Sequence, residues 1–263
     1  MIGRRGSRAE YLRRAATESG RPRRDGVLTE NDLDALPDPV ARYIRRSGAV
    51  GQRRVSNFHA RIHGRIRSAA DAGWMPFTGE QLNTYGPEPS RLFFIVARMK
   101  GLPVEVFHSF VGADATMRGK ALSIVTVVDQ HGPELARTET VTILNDACVM
   151  APGALADPAF TWESIDDRAA RVVFTRLGET VAATLYFDGA DQLIDFVSDD
   201  RRRDRILQRW STPLGRYRRF GDRWLMSYGE GRWHAPAPEG EFAYVEIELD
   251  EITYDVGPVR FRR

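Results

Sequence analysis

In the run Val104-Glu105-Val106-Phe107-His108-Ser109-Phe110, an imidazole shares its strand face with Val104, Val106 and Phe110. Side chains two apart point the same way in a strand, so His108 points where apolar groups point. An imidazole there can serve as a general base or hydrogen-bond a ligand; it can equally be a core histidine satisfied within the protein. Arg98 ends the run Leu92-Phe93-Phe94-Ile95-Val96-Ala97. That run is apolar on both faces, so the guanidinium is expected to be buried and to need an anion. The anion would be Glu139, on a helix further along, or a ligand's head group, with Gln81, Asn145 and Asp146 completing a polar cluster. Glu139 and Asp146 lie two helical turns apart, about 10 Å, too far to share a proton. His108 and Glu139 are the candidate catalytic pair. The competing reading of the cluster is an ion-pair network that ties helix to sheet.

The aromatic residues Trp74, Phe77, Tyr85, Phe93, Phe94, Phe107, Phe110 and Trp162 can line an apolar pocket, though most must be core. The expected ligand-binding set is Trp74, Phe77, Gln81, Phe94, Arg98, His108, Phe110, Asn145 and Trp162. Other chemistries lose their signal. Gly112 and Gly119 are seven apart where a phosphate loop needs five, and neither a dinucleotide fingerprint, a nucleophile elbow nor HExxH occurs. His59 and His63 share a strand face, but Arg61, Arg65 and Arg67 share it too and repel a cation. No metal and no cofactor are expected.

The elements that position these residues follow from periodicity. Asp38-Pro39 opens a helix with the stripe Val40, Tyr43 and Ile44, and Gly48 ends it. From Ser56 to Arg67 the period becomes 2, and strands are expected at about 77–85, 90–100, 103–112 and 121–128. One long helix, about 134–150, is apolar on two sides and therefore buried. Strands return at about 160–165, 170–177, 180–188, 192–199, 215–227, 230–235 and 242–255. Clean alternation such as Val245-Glu246-Ile247-Glu248-Leu249-Asp250 marks antiparallel sheet with one wet face. The expected fold is α+β, mainly antiparallel β: a large curved sheet, a half-barrel wrapped around one or two helices, with a helical N-terminal segment. Residues 1–26 are read as a basic, flexible arm, with a short helix from Ser7 to Ser19 possible within it, and 27–263 as a single domain.

Lys occurs only at positions 100 and 120, so arginine supplies nearly all of the 38 cationic residues, against 36 acidic ones. Near-balance argues for solubility rather than specific nucleic-acid binding, and the 201–219 basic patch is read as solvated loop. Arg4-Arg5 is not followed by an apolar segment, Cys148 is alone, and no run of about 18 apolar residues occurs. A cytoplasmic protein without a transmembrane segment is expected. Oligomeric state is open.

Several ordered motifs then match a family. Leu36-Pro-Asp-Pro-Val-Ala-Arg-Tyr-Ile-Arg-Arg-Ser-Gly48, Trp74-Met-Pro-Phe77 with Gln81, and Arg98-Met-Lys-Gly-Leu-Pro-Val104 are three of them. Val127-Val-Asp129 with Gly132-Pro-Glu134 and Trp162-Glu-Ser-Ile-Asp166 complete the set. Together, from about 36 to 255, they resemble an uncharacterised bacterial domain-of-unknown-function family. The second half is also similar in layout to lipoprotein-carrier (LolA-like) half-barrels. That resemblance implies a sheet whose apolar concave face holds acyl chains, although no export signal is present and His108 stands where an acidic residue is expected. The function it implies is binding of a hydrophobic small molecule or lipid in the concave face. Alternatives are a cofactor-independent cyclase, isomerase or hydrolase acting on an apolar intermediate in the same cleft, and a partner-binding protein without a ligand.

Overall fold

The computed structural model describes residues 6–122, 125–203 and 206–258. Arg4 and Arg5 of the arm, Ser123 and Ile124 of the expected strand, and Asp204 and Arg205 of the basic patch lie outside the described residues.

Among the described residues three α-helices are present: α1 (Ser7–Ser19), α2 (Asp38–Arg46) and α3 (Pro133–Met150). Before α3 come β1 (Asn57–Ile66), β2 (Met75–Thr84), β3 (Ser90–Met99), β4 (Leu102–Val111), β5 (Asp114–Ala121) and β6 (Val125–His131). After it come β7 (Phe160–Asp166), β8 (Ala169–Arg176), β9 (Glu179–Phe187) and β10 (Leu193–Ser198). Short strands follow: β11 (Arg202–Arg203), β12 (Ile206–Leu207), β13 (Trp210–Ser211), β14 (Leu214–Gly215), β15 (Arg218–Phe220) and β16 (Arg223–Leu225). The chain ends with β17 (Tyr228–His234) and β18 (Glu241–Tyr254).

All but four of these strands form one antiparallel sheet of 14 strands, ordered β6-β5-β4-β3-β2-β1-β18-β17-β13-β10-β9-β8-β7, with β14 paired to β17. The sheet is open, and it curves around α3, which packs on β5 and β6 toward one edge and on β9 and β10 toward the other. Arg176, on β8, reaches across and donates to the carbonyls of Pro89 (2.9 Å) and Gly112 (2.6 Å), with its guanidinium 4.0 Å from the Phe110 ring centroid. It fastens one side of the sheet to turns on the other.

Register fixes which side chains meet. On the concave face Gln81, Phe93, His108 and Met117 form one cross-strand row, and Asn83, Arg91, Phe110 and Ala115 form the next. On the opposite face Glu80, Phe94, Phe107 and Arg118 align. There the short helix expected at Ser7–Ser19 forms as α1, but it docks on the sheet rather than belonging to a flexible arm. Tyr11 and Ala15 are fully buried against Leu82, Leu92, Phe94 and Phe107, with Tyr11 stacked on Phe94 at 5.8 Å. The arm's many arginines hid this, because Tyr11, Leu12 and Ala15 suffice when the sheet supplies the rest of the core.

α2 runs as its signals require, and Gly48 follows it at φ +75°, with the Asp222 carbonyl so close that a Cβ would meet it at 2.5 Å. The strand expected over 215–227 is broken into β14, β15 and β16, because Arg216 takes φ +52° and Gly221 turns the chain. No helix among the described residues is long and apolar enough to cross a membrane.

Candidate functional site

The centre of the concave face holds a buried ionic cluster built on Arg91. Its Nε donates to Asp146 Oδ2 at 2.8 Å and an Nη donates to Glu139 Oε2 at 3.1 Å. Both carboxylates come from α3, where a spacing of seven puts them on one side. Asp146 Oδ2 also accepts from Gln81 (2.7 Å) and Asn83 (2.9 Å), while Asn145 donates to Thr212 Oγ1 at 2.7 Å. The network thus ties α3 to β2 and β3 on one side and to the chain beside β13 on the other.

Burial alone would push Glu139 up; the charges of Arg91, His108 and Arg201 outweigh it and hold the carboxyl at about 2. Asp146 goes the other way, because its burial exceeds what Arg91 and the amides return. Glu139 therefore stays ionised at any physiological pH. His108 Nδ1 lies 3.7 Å from Glu139 Oε1, beyond hydrogen-bond length, and is buried without a hydrogen-bond partner.

Arg98 is not part of this cluster. It has the parity of Phe94, lies on the opposite face and is exposed at the strand end. Arg91 takes the place expected for it: counted back by twos from Ala97, through Ile95 and Phe93, Arg91 is the residue that shares the concave face. Parity carried the signal, and the apolar run obscured it. Phe94 likewise faces α1, away from the concave side. Phe77 and Phe110 belong to the central core, and Trp162 packs at its margin, donating to the Leu155 carbonyl at 3.3 Å. Of the expected set, the structure brings Gln81 to Asp146 and His108 to Glu139, while Asn145 turns to Thr212.

Trp74 precedes β2 and enters an arrangement that the sequence reading did not foresee. Arg65 and Arg67 each lie 4.6 Å from the Trp74 ring centroid, and Arg67 continues to Phe242 (5.7 Å). Arg203 lies over Phe242 (5.0 Å) and Trp233 (5.9 Å), and Arg201 over Trp233 (5.5 Å) and Trp210 (4.2 Å). Arginine and aromatic rings alternate from β1 across β18 and β17 to β13. Most of these charges are matched: Arg65 by Glu246, Arg203 by Glu239, and Arg67 by the carbonyls of Ala243 and Ala70. The start of the basic patch, read as solvated loop, is packed against tryptophans.

His59 and His63 face carboxylates rather than each other, with His59 3.8 Å from Glu80 and His63 2.9 Å from Asp250. Among the described residues no cluster of three His, Cys, Asp or Glu side chains could hold a metal ion. Beside α1 a pocket of about 200 Å³ is lined by Arg8, Arg61, Glu80, Phe94, Val96 and Asp250, among others. Its rim is charge-matched within the protein, Arg8 pairing with Glu80 at 2.9 Å.

A further constellation escaped the sequence entirely. Ser211 Oγ is 2.8 Å from His234 Nε2, and His234 Nδ1 is 3.4 Å from Glu241 Oε2, the order of nucleophile, base and orienting carboxylate. Ser211 is, however, only 2 % exposed, and the next amide, Thr212 N, is spent on the Phe196 carbonyl. The serine has neither access to a substrate nor that amide as an oxyanion donor.

Residues 26–247 match the model of a family described as a family of unknown function, DUF6544. No curated protein matches the chain by sequence. Among solved structures it is similar to a putative outer membrane lipoprotein-sorting protein domain from Vibrio parahaemolyticus, at 12% identity and TM-score 0.42, covering 77% of this chain and 86% of that one. It is similar to a DUF1329 family protein from Desulfovibrio piger, at 13% identity and TM-score 0.45, covering 88% and 95%. A LolA superfamily protein from Nitrosomonas europaea aligns at 12% identity and TM-score 0.44, covering 80% and 90%. The likeness to these structures is one of layout.

Proposed function

The chain belongs to the DUF6544 family, whose function is unknown, and from that premise we propose that it binds a hydrophobic small molecule or lipid on the concave face of its sheet. The observation that carries the reading is a set of aliphatic side chains on that face that remain half-exposed: Ile66, Val106, Met117, Val245 and Ile247. Ile66, Val106, Val245 and Ile247 pack against the core to which α3 belongs and keep part of their surface uncovered. Val106 flanks His108 along β4, and Met117 is its cross-strand partner. Apolar surface beside a few convergent polar groups is what a small-molecule site requires. His108, whose Nδ1 faces Glu139 Oε1 across 3.7 Å without a hydrogen bond, supplies one such group. Gln81 and Asn145, satisfied within the protein, support the wall rather than touch the ligand.

The test is uptake of N-phenyl-1-naphthylamine, a neutral apolar fluorophore, by the full chain. Saturable one-to-one binding is expected, displaced by 1-dodecanol and weakened at least about tenfold, or 1.4 kcal/mol, in Val106→Arg. Unsaturable uptake, or an unchanged affinity in a folded Val106→Arg variant, removes the reading.

One observation favours proton-transfer catalysis in the same cleft. An ionised carboxylate, Glu139, stands behind an imidazole that borders apolar surface, which is how a general base is held ready. On that reading His108 would be the base and Glu139 would orient it. Turnover of an apolar intermediate that is lost in His108→Ala while fluorophore binding persists would select the enzyme.

A further inference from the structure

Resting on the proposed concave-face site, we infer that its ligand carries an oxyanion, a carboxylate or phosphate, seated by Arg201, Gln208 and Trp210. Three side-chain nitrogens on these residues, Arg201 Nε, Gln208 Nε2 and Trp210 Nε1, are buried and have no hydrogen-bond partner among the described residues. The residues adjoin one another: Gln208 N donates to the Arg201 carbonyl at 2.9 Å, and the Arg201 guanidinium lies 4.2 Å from the Trp210 ring centroid. A guanidinium, an amide nitrogen and an indole nitrogen only donate. Native interiors rarely leave such a group unpaired, and what each of these three neighbouring residues lacks is a group that only accepts. Oxygens of a carboxylate or phosphate fit that description, and planar guanidinium recognises them well.

Charge points the same way. Along the arginine–aromatic ladder Arg65 and Arg203 are held by carboxylates and Arg67 by carbonyls, whereas no ion pair joins Arg201 to a carboxylate among the described residues. Glu139 feels the Arg201 charge without pairing to it, being engaged by Arg91. Position links the seat to the apolar wall. Arg202 N donates to Thr138 Oγ1 at 3.3 Å, which sets Arg201 against α3 at the level of Glu139, the carboxylate that His108 also faces. A ligand with its apolar part on Val106 and Met117 and its oxyanion at Arg201 would span the two.

The experiment titrates the full chain with dodecanoate, 1-dodecanol and inorganic phosphate, following tryptophan fluorescence and fluorophore displacement. Dodecanoate is expected to bind about tenfold or more tighter than 1-dodecanol, the gain of a charge-assisted hydrogen bond. That ratio should fall toward one in Arg201→Met and by a few fold in Trp210→Phe, which keeps the ring and deletes only the N–H. Displacement of dodecanoate by phosphate only at high concentration assigns the oxyanion to an amphiphile's head. Submillimolar phosphate binding that Arg201→Met abolishes supports the same seat with a free anion as its ligand. Equal affinity for dodecanoate and 1-dodecanol together with no phosphate binding, or effects that neither variant changes, overturns the inference. Fluorophore uptake is read separately, so an apolar site without an oxyanion seat is distinguishable from the loss of both.

Discussion

Replacing Arg91 by Met tests the central cluster most sharply. The side chains of Arg91, Glu139 and Asp146 are 8%, 6% and 7% exposed, so the substitution takes from two interior carboxylates the cation paired with both. Breaking a buried pair from one side costs about 3–5 kcal/mol, a large fraction of a typical domain stability of about 5–15 kcal/mol. For a chain of this size that is a fall of about 10 °C in Tm. The loss must also depend on pH. In the wild type Glu139 sits at about 2, below its ordinary 4.5. Its contribution is therefore complete above 4.5 and disappears as pH falls from there through 2. Without the Arg91 charge, burial is opposed only by His108 and Arg201 at Glu139 and by Asn83 at Asp146, so both carboxyls rise, and the variant is worst at neutral pH and recovers toward the wild type on acidification. Equilibrium urea unfolding at pH 7 and pH 4, monitored by tryptophan fluorescence, measures both effects. Adding Glu139→Gln and Asp146→Asn should restore most of the loss at pH 7, because neutral groups need no counter-charge. A deficit below about 1 kcal/mol, or one equal at the two pH values, would refute the reasoning. Arg98→Ala, an exposed change, should stay within about 0.5 kcal/mol.

Other outcomes follow from the same geometry. Burial pushes Asp195 up to about 6, against the backbone amide of Phe196 that stabilises its charge. Its ionisation therefore opposes folding as pH rises from about 4 through 6, and Asp195→Asn should flatten the stability profile across that window in urea titrations. Arg176→Met strands the carbonyls of Pro89 and Gly112 and should cost about 2–4 kcal/mol in the same assay. Tyr11→Ala removes the ring that anchors α1; limited proteolysis is expected to cut within 7–19 while the sheet stays resistant. Burial raises the Cys148 thiol well above its ordinary value, so a thiol reagent should label it only at the rate of unfolding.

What was legible in the sequence follows from which interactions are local. Alternation marked β1, β9 and β18, and the Asp-Pro opening with a glycine stop marked α2, because these signals lie within a dozen residues. The polar residues of α3, Glu139, Asn145 and Asp146, were also visible, since each is a polar group inside an apolar pattern. Their cation was misassigned to Arg98. An apolar run with charges at both ends does not say which end is wet until strand parity is carried across the sheet. Nothing local announced the docking of α1, because Tyr11 and Ala15 complete a cluster whose other members lie on β2, β3 and β4. The arginine–aromatic ladder was hidden for the same reason: Arg65, Trp74, Arg201, Trp210, Arg203, Trp233 and Phe242 meet only when β1, β18, β17 and β13 stand side by side.

Native mass spectrometry of the purified full chain, set against its denatured mass, measures the central claim directly. A discrete added mass of one apolar small molecule, released on denaturation and lost in Val106→Arg, is the result predicted. A native mass equal to the bare chain, together with no saturable uptake of the neutral fluorophore, would contradict it.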